Sequence, residues 1–143
     1  MPTRSDGDPD LLVDTSVAVA LVVVDHAQHR TTLEALDGMR LGLCGHAAFE
    51  TFSVLTRLPP PARRTPAAVS RLLAANFPQS RFLGGRAAAV LLGELEAKGI
   101  AGGAVYDALV GAAAVEHGLT LATRDLRALD TYRVLDARVE LIS

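Results

Sequence analysis

Residues 11–24 read Leu11-Leu12-Val13-Asp14-Thr15-Ser16-Val17-Ala18-Val19-Ala20-Leu21-Val22-Val23-Val24. Three apolar residues run into an acid and two hydroxyls, and a helix-length apolar stretch follows. That order is the pattern of a buried strand entering a helix N-cap, with Thr15 or Ser16 as the expected cap. The alternation recurs down the chain. Residues 28–36 are amphipathic and closed by Gly38, residues 41–44 form a second strand candidate, and residues 47–58 are helical until Pro59-Pro60-Pro61 stops them. Thr65-Pro66 opens a helix to residue 75, residues 77–83 are loop or short strand, and residues 86–98 form a helix ended by Gly99. Residues 104–117 are apolar nearly all round and end at Gly118. A strand at 119–122, a short helix at 126–129 and final strands at 134–135 and 139–142 complete the reading. Strands alternating with helices imply an α/β fold, a three-layer α/β/α sandwich around a central, mostly parallel sheet.

Composition agrees with one domain at residues 11–143. The chain has 143 residues, 50% hydrophobic and 21% charged, enough apolar content to bury a core without disulfides. High apolar content with a net charge of -2 excludes intrinsic disorder, and no internal repeat is visible. The longest unbroken apolar run, residues 17–24, is far too short to cross a bilayer, so no membrane partner is expected. Residues 1–10 carry Arg4, Asp6, Asp8 and Asp10 without the apolar stretch of a signal peptide, and read as a disordered, solvated tail. The single cysteine, Cys44, lies in an apolar segment as a buried, reduced thiol, which makes a cytoplasmic location the expectation.

Charge and chemistry follow from where the acids fall. The chain holds 14 Lys and Arg and 16 Asp and Glu; residues 1–10 take one base and three acids, leaving 13 of each. If four of those acids share one site, the rest of the body carries a positive excess of four, which suits a polyanionic substrate. Thirteen of the bases are Arg and only Lys98 is Lys, a bias that base composition of the genome also explains. In parallel sheets ligands gather at the carboxyl ends of strands. Asp14 and Asp125 each follow an apolar run there, while Glu50 and Asp107 lie on otherwise apolar helices. Singly, Asp14 reads as a turn residue, Asp125 as an N-cap and Asp107 as a first-turn acid favoured by the helix dipole. Glu50 is harder to place, because a charge on a buried stripe needs a partner. Together, four clustered carboxylates repel one another, and a hard divalent cation, magnesium or manganese, relieves that repulsion. Such an ion activates water and neutralises phosphate charge, the arrangement for hydrolysing a phosphodiester without a protein nucleophile.

The runs Leu11-Leu12-Val13-Asp14-Thr15-Ser16, Glu50 in an early helix, Asp107-Ala108-Leu109-Val110-Gly111-Ala112-Ala113-Ala114-Val115-Glu116-His117-Gly118 and Leu121-Ala122-Thr123-Arg124-Asp125 resemble the PIN-domain ribonucleases. More closely they resemble the VapC toxins of bacterial toxin-antitoxin modules. The resemblance covers most of the chain beyond the first ten residues. It implies an endoribonuclease dependent on Mg2+ or Mn2+, with Asp14, Glu50, Asp107 and Asp125 around the metal and Thr15, Ser16 and Thr123 as supporting hydroxyls. It also implies a homodimer held inactive by a cognate antitoxin. Leu126 and Arg127 stand where many relatives carry a further acidic or amide residue, which counts against a second metal ion.

Two other classes compete with an RNase: a non-catalytic α/β protein-interaction module, and a DNA nuclease or phosphatase built on the same acids. An aspartyl phosphatase wants an acid two positions after Asp14, where Ser16 stands. His26 and His29 have a ligand-like spacing without a third strong ligand, and Gly99, Gly102 and Gly103 form no phosphate loop. With aromatic residues at 4%, no base-stacking platform is expected, and substrate grip falls to arginine, with Arg124 and Arg127 beside Asp125 as candidate RNA-phosphate contacts.

Overall fold

A computed structural model describes residues 7–143. Strand β1 (Leu11–Val13) leads into α1 (Thr15–Val22) and α2 (His29–Ala35), then β2 (Leu41–Leu43), α3 (Ala47–Thr56), α4 (Pro66–Asn76), α5 (Gly85–Glu94), α6 (Ala104–His117), β3 (Leu121–Thr123), α7 (Leu129–Val134) and β4 (Val139–Leu141). The sheet order is β2-β1-β3-β4, every pair parallel, with Leu12 opposite both Gly42 and Leu121. Each strand has only three residues, and the first three are buried throughout because helices cover both faces. Alternation along β1 divides the core. Leu11 and Val13 pack with Val17, Leu55 and Val69 on one face, and Leu12 packs with Val110, Ala113, Leu121 and Tyr132 on the other. The expected three-layer α/β/α sandwich is the observed one.

The chain leaves β1 for β2 on one side and later returns to place β3 on the other, so the topological switch point lies between the carboxyl ends of β1 and β3. Helix termini follow the local chemistry: Thr65 Oγ1 accepts from Ala68 N with Pro66 at the first helical position, and Gly118 closes α6 at φ 64°. Gly42 serves a different purpose. A Cβ there would stand 2.0 Å from the Gln79 carbonyl oxygen, because the segment after α4 runs tightly along β2. Gln79 N donates to Leu41 O, Ser80 Oγ accepts from Leu43 N, and Arg81 N donates to Leu43 O.

Several expectations need correction. The cap of α1 is Asp14, not Thr15 or Ser16: its carboxylate accepts from Val17 N. Residues 126–128 are turn and α7 begins only at Leu129, and residues 134–135 end that helix and form no strand. Helix α5 stops at Glu94, short of Lys98. Of the expected tail, residues 1–6 lie outside the described residues, whereas residues 7–10 join the fold: Pro9 is fully buried, Arg81 pairs with Asp8 at 3.3 Å, and Asp10 accepts from Arg40 N at 2.7 Å. Cys44 is free and buried, its thiol donating to Val110 O, and burial pushes that thiol well up. Among the described residues no helix is long and apolar enough to cross a membrane.

Candidate active site

Asp14 leaves the end of β1 into a cradle of donors. Its Oδ1 accepts from Ser16 Oγ at 2.6 Å and Val17 N at 3.2 Å, and its Oδ2 accepts from Thr123 Oγ1 at 2.5 Å and Tyr132 OH at 2.9 Å. The carboxylate is 4% exposed, and four donors are what make burying it tolerable. The two hydroxyls also organise the neighbouring strand end. Ser16 Oγ accepts from Arg124 N at 2.8 Å and Thr123 Oγ1 accepts from Asp125 N at 3.0 Å. Each hydroxyl therefore spends its one proton on Asp14 and a lone pair on the backbone beyond β3. Asp125 is fixed in turn by accepting from Arg127 N at 2.9 Å.

Asp14, Glu50, Asp107 and Asp125 line one small cavity of about 50 Å3, floored by Val110 and Tyr132 and edged by Thr15 and Ser16. All four acids singled out in the sequence thus meet, two from strand ends and two from the first turns of α3 and α6. Glu50 accepts from Thr15 Oγ1 at 3.3 Å and pairs with His46 Nε2 at 3.3 Å. Asp107 accepts no hydrogen bond among the described residues. Its carboxyl is pushed up to about 6 by burial and then by the negative charges of Asp125, Glu50 and Asp14, with Arg127 pulling the other way.

An all-oxygen set of four carboxylates fits a hard divalent cation, and the unpaired Asp107 is the group most in want of one. Among the described residues no three His, Cys, Asp or Glu side chains form a ready-made ligand cage. Glu50 and Asp125 turn toward His46 and Arg127 instead.

A wider groove of about 680 Å3 opens above the acids, lined by Arg57 and Arg127 among others. Of the two arginines expected to meet phosphate, Arg127 is there, its side chain 93% exposed apart from its contact with Asp125. Arg124 is directed elsewhere, donating to Thr32 Oγ1 at 3.2 Å and so tying α2 to the end of β3. Arg57 escaped the sequence reading, since nothing in its neighbourhood marks it apart from other surface arginines. Tyr132 escaped it too, since Asp130, Thr131 and Arg133 around it give no sign of burial; its role follows from a buried hydroxyl that needs a partner. The low aromatic content gives no hint that four rings come together. His46 and Tyr106 stack with ring centroids 5.1 Å apart, and Phe49 and Phe82 continue the cluster. His26 and His29 form no pair: one accepts from Gln28 N and the other meets Ala20 O.

Comparison with known proteins bears on this geometry. Ribonuclease VapC27 of Mycobacterium tuberculosis strain H37Rv is 47% identical over 131 residues, covering 92% of this chain and 96% of that protein. Ribonuclease VapC40 of the same species, strain CDC 1551, is 46% identical over 132 residues, covering 91% and 97%. Among solved structures, DNA-bound VapBC from Salmonella typhimurium superposes with a TM-score of 0.67 at 20% identity, covering 94% of this chain and 98% of that one, a likeness of fold. The PIN domain pattern matches residues 11–134, with all four cavity acids inside the match. By sequence and by fold, this chain belongs to the PIN domain family.

Proposed function

We propose that residues 11–143 form a single metal-dependent endoribonuclease domain, the toxin of a toxin-antitoxin pair, acting as a homodimer on RNA until a cognate antitoxin covers the groove. The observation that carries this reading is the meeting of Asp14, Glu50, Asp107 and Asp125 around one cavity at the switch point of a parallel sheet. Relatives named as ribonucleases over nearly the whole chain support the same substrate class.

Asp14, Glu50, Asp107 and Asp125 would hold Mg2+ or Mn2+, which supplies Lewis-acid polarisation of a phosphate and activation of water. The chain's own residues do the rest. Ser16, Thr123 and Tyr132 hold the Asp14 carboxylate in one orientation, and Thr15 steadies Glu50. Among the described residues no side chain competes for Asp107, which is free to exchange a proton or ligate. Arg57 and Arg127 in the groove meet phosphates of the bound strand. The Ser16 hydroxyl at the cavity edge is held between Asp14 Oδ1 and Arg124 N as a structural support, so in this reading water is the attacking group.

The test is incubation of the full chain, freed of any co-purifying partner, with RNA and DNA oligonucleotides, with magnesium or manganese and with excess chelator. Ion-dependent cleavage of RNA leaving 5′-phosphate ends is the expected result. Cleavage undiminished in chelator overturns it, and cleavage of DNA alone favours the DNA nuclease reading.

A further inference from the structure

Six residues of the chain are Phe or Tyr. Phe77 and Tyr132 are buried and Phe52 is half-buried; the three that are exposed, Phe49 at 66%, Phe82 at 50% and Tyr106 at 53%, all stand in one cluster. His46 joins them. The ring centroids run Tyr106 to His46 at 5.1 Å, His46 to Phe49 at 6.5 Å and Phe49 to Phe82 at 6.1 Å, a row leading outward from the acids. Its inner end is welded to the candidate active site: Tyr106 precedes Asp107, His46 pairs with Glu50 at 3.3 Å, and both rings line the groove that also holds Arg57 and Arg127. Its outer end opens on a second hollow of about 390 Å3 lined by His46, Phe49 and Phe82.

We propose that Tyr106, His46, Phe49 and Phe82 are a base-stacking subsite that takes unpaired bases of single-stranded RNA flanking the cleaved linkage, and this rests on the nuclease reading above. Exposing three of six aromatics in one place leaves apolar surface in water with no folding benefit, which marks a site of contact. Continuity decides the occupant. The row shares His46 and Tyr106 with a groove carrying two arginines and four acids, so a strand whose phosphate reaches the acids lays its adjacent bases along the rings. Aromatic faces accept any base, and arginines track the backbone; together they form the pairing of features by which single strands are held. A duplex, with its bases already stacked, gains nothing from the row.

The experiment uses the full chain in excess chelator, where binding is read without cleavage. The probe is a short single-stranded oligoribonucleotide carrying a fluorescent purine analogue that is quenched on stacking. Wild type is expected to quench the probe. The pair Phe49→Leu with Tyr106→Leu, and separately Phe82→Leu, keep apolar bulk and remove the π face; they should bind about tenfold more weakly and lose quenching, with unchanged melting temperature. Leu variants that bind and quench like wild type overturn the subsite, including the case in which they lose a protein partner instead. Absence of quenching by wild type overturns it too. Cleavage by wild type with magnesium or manganese is scored separately, so a strand that is stacked but not cut sinks the nuclease reading and leaves the subsite standing.

Discussion

The hydroxyl of Tyr132 on α7 donates to Oδ2 of Asp14 at 2.9 Å, joining residues 118 positions apart beneath the four acids. Burial, with the Asp14 charge beside it, pushes that hydroxyl well up and so favours its protonated, donating form. Tyr132→Phe keeps the ring in the core and removes only this bond. The expected cost is about 1.5–3 kcal/mol of stability, as for a hydrogen bond to a charged acceptor, together with roughly tenfold slower RNA cleavage. Denaturant unfolding and an RNase assay on the same preparation check both halves.

Asp14 and Asp107 answer differently to amide substitution. Either Asn variant should abolish cleavage. Asp14→Asn also replaces an acceptor of four donors with a group that has one acceptor oxygen, and should cost about 1–3 kcal/mol in the metal-free protein. Asp107→Asn removes a charge that has no hydrogen bond and three acidic neighbours, so it should leave the metal-free protein as stable or more so. Thermal unfolding in chelator separates them, and equal losses in both variants would contradict the assignment of Asp107 as the unpaired member.

The pH dependence follows from the raised Asp107 carboxyl, at about 6 in the fold against 3.8 for an ordinary Asp. Between those values the native state holds the proton that the unfolded chain has released, so stability falls as pH rises through the window. The melting-temperature advantage of Asp107→Asn over wild type should therefore be small near the lower value, grow toward the upper one and level off above it. Magnesium or manganese should reverse the trend by stabilising wild type and should do much less for the variant. A constant difference across that range counts against the mechanism.

Arg57→Ala and Arg127→Ala should each weaken RNA binding across sequences and lower the salt slope of affinity by about one. Arg124→Ala should instead act on stability, because its guanidinium is engaged with Thr32. Titrations of RNA at two salt concentrations, beside a melting curve, distinguish the two classes of arginine.

Gly42→Ala places a Cβ within 2.0 Å of the Gln79 carbonyl oxygen, backbone against backbone. Neither segment can yield without breaking bonds along β2, so the expected loss is about 1–3 kcal/mol, read as a lower denaturant midpoint.

The acids were legible because the signal is local: a buried three-residue strand followed by a carboxylate at Asp14 and again after Leu121-Ala122-Thr123, and a charge on an apolar helix at Glu50 and Asp107. What was missed is not local. The aromatic row draws on residues 46, 49, 82 and 106, which come from the start of α3, the segment before α5 and the start of α6, and no sequence window contains it. Val134-Leu135 looks like strand on propensity, yet α7 claims it because Tyr132 must reach Asp14. Asp14 displaced the hydroxyls as cap since its carboxylate, not theirs, faces Val17 N.

The strap of residues 79–81 along β2 has a consequence for how this sheet meets other molecules. A parallel sheet ends in two rims of backbone donors and acceptors, each a template on which a foreign strand can grow. On the β2 rim Leu41 O, Leu43 N and Leu43 O are already engaged, and Gly42 keeps the strap too close for anything to slip between. The opposite rim is β4, three residues long with Glu140 at its centre. A foreign strand is shut out at β2, and at β4 it finds only three residues to grip.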